Sequence, residues 1–88
     1  MTSLPRAVAE ARITCSASPW QAEGRLWDGP RFYMRVRSNR ATLGLGATHH
    51  DAVLDSLEGS AVIDAPFSPT DAEAWALFDL LLPSAEGR

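Results

Sequence analysis

Between Arg31 and Arg37 the chain reads Arg-Phe-Tyr-Met-Arg-Val-Arg, alternating apolar and polar residues at every step. Successive side chains on a strand point to opposite faces. This segment is therefore predicted to be a strand with Phe32, Met34 and Val36 toward a core. Arg31, Tyr33, Arg35 and Arg37 take the other side. Two neighbouring segments extend the pattern. Trp20 to Trp27 precedes the turn residues Asp28-Gly29-Pro30, and Arg40 to Gly46 follows Ser38-Asn39. Gly, Pro, Asp and Asn at these places are turn chemistry.

A three-residue Asp28-Gly29-Pro30 loop would set Leu26 opposite Phe32 and Glu23 opposite Arg35. A two-residue Ser38-Asn39 turn would set Val36 opposite Ala41, Met34 opposite Leu43 and Phe32 opposite Leu45. Both hairpins then agree on one apolar and one polar face, the condition that fixes register. The expectation is a three-stranded antiparallel meander over about 20–46.

The period then changes. Thr48 with Asp51 three residues on predicts a helix N-terminus. That helix spans about 49–58, burying Val53, Leu54 and Leu57, with Gly59 as its stop. A short extended segment over about 61–65 follows. Ser68-Pro69-Thr70-Asp71 opens a second helix over about 69–82, with Thr70 and Glu73 spaced as a capping box and Pro83 beyond its end. Ala74, Leu77, Phe78 and Leu81 form its core stripe, and Trp75 and Leu82 lie off it. Residues 1–12 are weakly patterned: Pro5 could open a short helix through Ala11, or the segment is a loose arm. Ile13 to Ser18 is an ambiguous extended lead-in, and 84–88 a frayed tail. The fold expectation is a single α+β domain over 1–88. It has two layers, with both helices on the Phe32/Met34/Val36 face.

Composition narrows the function classes. The 88 residues are 45% hydrophobic and 22% charged, enough for one modest core. The single cysteine, Cys15, has no partner for an internal disulfide. No signal-peptide pattern opens the chain, and no apolar run approaches a membrane span, so a cytoplasmic protein with no membrane partner is expected. All the basic residues are arginine, an expected mark of a GC-rich genome. The net charge of −3 hides two unequal parts. Residues 1–40 hold seven arginines against three acids, and residues 41–88 hold one arginine against eight acids.

That asymmetry singles out one candidate surface. The polar face of the meander carries Arg25, Trp27, Arg31, Tyr33, Arg35, Arg37 and Arg40, opposed only by Glu23. Arginine, tryptophan and tyrosine are the residues enriched in protein hot spots. The same mixture suits stacking on bases and pairing with phosphates. The bland alternative is a solvated or covered face with internal Arg–aromatic contacts. The acids Asp51, Asp55, Glu58, Asp64, Asp71, Glu73 and Asp79 form a second candidate, a carboxylate surface imitating a phosphate backbone. First-turn acids are also explained by the helix dipole.

Other signals are weaker. Leu43-Gly44-Leu45-Gly46 lacks the third glycine of a dinucleotide motif and the lysine of a P-loop. Its glycines more readily allow a helix to approach, or relieve crowding opposite Tyr33. His49, His50 and Asp51 are sequence neighbours, which do not converge on a helix. No nucleophile–base spacing and no metal or cofactor motif is present, so no catalytic, cofactor or metal residue is assigned. Trp75 and Leu82 are candidate oligomer or partner contacts, since an exposed tryptophan would call for cover. A homodimer, a partner or residues 1–12 would each supply it. The expected function is a small non-enzymatic protein-binding module, an adaptor or inhibitor, using the arginine/aromatic face or the acidic helices. A nucleic-acid-binding module is the alternative, and an enzyme subunit ranks third.

Overall fold

A computed structural model describes residues 3–16, 19–59 and 61–87. Five strands and two helices follow in the order β1 (Val8–Ser16), β2 (Trp20–Leu26), β3 (Arg31–Arg37), β4 (Arg40–Gly46), α1 (His49–Glu58), β5 (Val62–Asp64) and α2 (Asp71–Glu86). The strands form one antiparallel sheet in sequence order. The α+β class and the succession of meander, helix, extended segment and helix are those expected.

The sheet is wider than three strands. Residues 8–16 form β1 along β2 rather than a loose arm or a helix. The pattern hid this strand because two extra residues, Ala9 and Thr14, interrupt its register with β2. Bulges of this kind twist an edge strand and discourage it from pairing with another chain. The expected lead-in over 13–18 ends outside the described residues, as do the first two residues of the arm and the last of the tail. The segment over 61–65 becomes β5, pairing Ala41 with Ile63 on the outer edge of β4.

The β3–β4 hairpin has the expected register, Val36 with Ala41, Met34 with Leu43 and Phe32 with Leu45. Ser38 and Asn39 both take positive φ, 55° and 62°, the two-residue turn whose twist suits a hairpin. The β2–β3 register differs by two residues. Ala22 faces Met34, Gly24 faces Phe32 and Glu23 faces Tyr33. The loop is Trp27-Asp28-Gly29, one residue earlier than expected. Gly29 takes the positive φ of 117° at its third position. The Leu26 amide donates to the Pro30 carbonyl at 2.9 Å, so Pro30 closes the hairpin where its missing N–H is not needed. A shift of two leaves the side chains of β2 and β3 on their expected faces, but it moves Trp27 from strand to loop and separates Glu23 from Arg35.

The two helices lie on opposite faces, so the expected two-layer packing on one face is corrected. α2 covers the Phe32 face. Trp20, Phe32, Trp75 and Phe78 meet edge to face, with Trp20 and Trp75 centroids 5.1 Å apart and Phe32 and Phe78 5.0 Å apart. Each such pair adds about 0.5–1.5 kcal/mol beyond the area it buries. Trp75 is 4% exposed, and Ala74, Leu81 and Ala85 are buried beside it. The core stripe is thus rotated from the expected one, with Leu77 only half-buried. Thr70 and Glu73 form the expected capping box. The helix does not stop before Pro83 but carries it inside and ends at Glu86. Ala85 remains in the core, so this turn gains burial that offsets the backbone bond proline removes.

α1 lies across the other face, over Tyr33 and Gly44. Its boundaries are the expected ones. The Asp51 amide donates to Thr48 Oγ1 at 3.1 Å, and Gly59 takes a left-handed φ of 75°. Its orientation is not the expected one. The residues it buries are Ala52 and Ser56, while Leu54 and Leu57 are exposed. Gly44 and Gly46 explain this. A Cβ on Gly44 would lie 2.1 Å from the Ala52 carbonyl oxygen, and one on Gly46 2.5 Å from the Asp51 Cβ. The helix backbone rests on the strand itself, a contact only small residues permit.

Candidate functional site

Tyr33 stands at the centre of the polar face and is half-buried beneath α1, its ring 6.0 Å from the His49 ring. The helix therefore divides the five candidate arginines into two groups, Arg25 with Arg31 and Arg35 with Arg37 and Arg40. About 20 Å of strand separates Arg31 from Arg37 at ~3.3 Å per residue.

At the β1–β2 end Arg12 and Arg25 meet carboxylates. Arg12 lies 3.2 Å from Glu23 Oε1, and His49 Nδ1 lies 3.3 Å from Glu23 Oε2. Arg25 lies 3.5 Å from Glu10. Arg31 shares a shallow depression with Glu10, Ala11, Arg12, Glu23 and Gly24. These exposed pairs contribute little stability each, but they offset the charge of Arg12 and Arg25, and Arg31 makes no ion pair among the described residues. Trp27 is 71% exposed at the start of the β2–β3 loop, outside both groups.

At the β3–β4 hairpin the balance differs. Arg35, Arg37 and Arg40 share one face, because Arg37 pairs with Arg40 and Arg35 with Thr42 in the register. Together with Thr42, Ser56, Leu57, Gly59 and Val62 they line a depression of about 270 Å³. None of the three arginines lies within 4.0 Å of a carboxylate oxygen of the described residues. Asp64 faces Arg40 in the β4–β5 register without making that contact. Thr42 and Ser56 donate their hydroxyls to backbone carbonyls, of Arg35 at 3.4 Å and Val53 at 2.7 Å. Leu57, 68% exposed, and Val62, 41% exposed, give the rim an apolar side. Arg35 is the half-buried member, and its Nε is buried with no hydrogen-bond acceptor in the described structure.

The hairpin carrying these arginines is held in place. The Ala65 amide donates to the Asn39 carbonyl at 2.9 Å, and Asn39 Nδ2 donates to the Ala65 carbonyl at 3.3 Å. Sequence reasoning placed Leu57 in the core and gave Val62 no role. The signal that would have found them was the pair of glycines at alternate positions of β4, which bring the end of α1 beside Arg35.

The acidic candidates do not gather. α1 and α2 lie on opposite faces of the sheet, and three of the acids serve the fold. Asp55 Oδ2 accepts from the Leu45 amide at 2.8 Å, on the part of the β4 edge that β5 leaves open. Asp71 Oδ1 accepts from the Trp20 indole at 3.0 Å, and Glu73 completes the α2 cap. Trp75 is buried within its own chain, with Leu4 and Pro5 of the N-terminal segment beside it. It is thereby removed as an oligomer contact, and Leu82 is half-buried. Among the described residues no cluster of His, Cys, Asp and Glu could hold a metal ion, and no helix is long and apolar enough to cross a membrane. No known protein family, curated protein or solved structure matches this chain.

Proposed function

We propose that this chain is a small non-enzymatic binding module, an adaptor or inhibitor, that docks an acidic segment of another protein at its β3–β4 hairpin. The carrying observation is the depression at Arg35, Arg37 and Arg40, whose arginines meet no carboxylate of the described residues and whose far rim is the exposed pair Leu57 and Val62. Guanidinium groups beside aliphatic side chains are the make-up of a protein hot spot. In an acidic chain such a spot also steers the encounter, because it is where an anionic partner meets an attractive field. A cytoplasmic setting is part of this proposal.

Nucleic acid is the weaker reading. A stacking platform needs open aromatic faces, and Tyr33 lies under α1 while Trp27 sits at the far loop. The test is the double variant Arg37→Glu with Arg40→Glu, both positions being exposed. Circular dichroism and melting should stay unchanged while capture of the native partner is lost. Retained capture would refute this surface. A gel shift with single-stranded oligonucleotide that weakens steeply with salt would favour the alternative.

A further inference from the structure

Three features of the arginine end point to a narrower ligand chemistry. First, the Arg35 Nε is a charged donor out of reach of water and without an acceptor among the described residues, an arrangement that costs free energy until an acceptor arrives. Second, the helix terminus at this depression is a C-terminus, since Ser56, Leu57 and Gly59 line it. Its last carbonyls carry partial negative charge, and the last turn of α1 holds no basic residue of its own. A doubly charged phosphate is repelled there more strongly than a singly charged carboxylate. Third, Leu57 and Val62 offer apolar cover beside the charge, which suits a side chain with methylenes and an aliphatic neighbour rather than a bare anion.

We propose that Arg35 anchors a carboxylate site. Its guanidinium turns from α1 into the depression and pairs through Nε and one Nη with a glutamate or aspartate side chain of an extended partner segment. Arg37 and Arg40 add charge at the rim, and Leu57 and Val62 cover the adjoining aliphatic residue. A side-on fork of this kind is specific to arginine, because lysine offers a point charge. This inference rests on the hairpin end being the docking surface.

The test uses the full chain with isotope-labelled arginine, followed by NMR of the Nε–H resonances. The probes are a capped peptide alternating leucine and glutamate, its glutamine counterpart, and inorganic phosphate. The glutamate peptide should shift the Arg35 resonance and bind at least about tenfold more tightly than either other probe. Arg35→Lys should lose about tenfold in affinity for the peptide while melting as the parent does, because the positive charge facing the end of α1 is kept. Equal binding of the glutamine peptide, tighter binding of phosphate, or full binding by Arg35→Lys would each overturn the proposal. Shifts at Arg37 and Arg40 without one at Arg35 would leave the docking surface standing and remove the anchor. No shift at any of the three at millimolar peptide would remove both.

Discussion

Gly44→Ala is the substitution that most directly tests how the candidate site is built. Gly44 is buried in β4 opposite Tyr33, and α1 lies on it. A methyl group there would stand 2.1 Å from the Ala52 carbonyl oxygen and 2.3 Å from the Ser56 amide nitrogen. Both are backbone atoms of one helix, so no side chain can swing aside. Bringing the 2.1 Å approach out to an ordinary 3.4 Å contact requires α1 to retreat by about 1.3 Å. A gap of that size forfeits much of the packing of Ala52 and Ser56, and overpacked sites of this kind cost about 2–4 kcal/mol. For a domain of this length the melting temperature should fall by about 10–25 °C. Thermal and urea unfolding followed by tryptophan fluorescence measures it, with Gly59→Ala as the control. Beyond its chain neighbours, Gly59 has no atom of the described residues within 4 Å of a new Cβ and only its left-handed φ of 75° to strain, a cost of about 1 kcal/mol. If Gly44→Ala were as stable as Gly59→Ala, α1 would not rest on this face, and the division of the arginine strip would fall with it.

Substitutions at two further positions probe the other side of the sheet. Asp71→Ala leaves the buried Trp20 indole N–H without its 3.0 Å acceptor and should cost about 1–3 kcal/mol in urea unfolding, whereas Asp71→Asn keeps an acceptor and should cost less. Trp75→Ala removes a ring packed on Trp20, Phe32 and Phe78 and should cost about 3–5 kcal/mol without changing particle size in light scattering. A smaller particle that melts as the parent does would show that Trp75 served an interface after all.

What the sequence made legible follows from how local each determinant is. Ser38-Asn39 fixed the β3–β4 register because a two-residue turn leaves one pairing. Thr48 and Gly59 bounded α1 for the same reason: caps act within a few residues of the helix end. The β2–β3 register slipped because Pro30 suits a loop as well as a hairpin's closing position. Since the slip was even, the core residues survived it and the Glu23–Arg35 pair did not. The orientation of α1 was harder to read. Val53, Leu54 and Leu57 look like a core stripe, yet the helix turns Ala52 and Ser56 to the sheet. Backbone approach at Gly44 and Gly46 selects small residues there, and hydrophobicity alone does not report that. The candidate arginines were therefore named correctly as a face and incorrectly as one surface.

The charge asymmetry of the chain can now be divided between fold and function. Of the seven arginines before residue 41, Arg12 and Arg25 pair with Glu23 and Glu10, so part of the basic excess is neutralised within residues 1–40. Three acids of the second part are likewise committed, to the β4 edge, the Trp20 indole and the α2 cap. Among the described residues the ion pairs between an arginine and a carboxylate both lie within residues 1–40, not between the two parts. Their junction is the apolar face beneath α2 and the glycine contact beneath α1. The charge left over is uneven in space as well as in sequence. Arg35, Arg37 and Arg40 stand together where α1 ends, and the other carboxylates of residues 41–88 are dispersed over β5, where Asp64 faces Arg40, and over two helices on opposite faces. A surface arranged in this way discriminates by sign. An anionic segment meets three guanidinium groups in one place, whereas a cationic one meets single carboxylates set apart from one another.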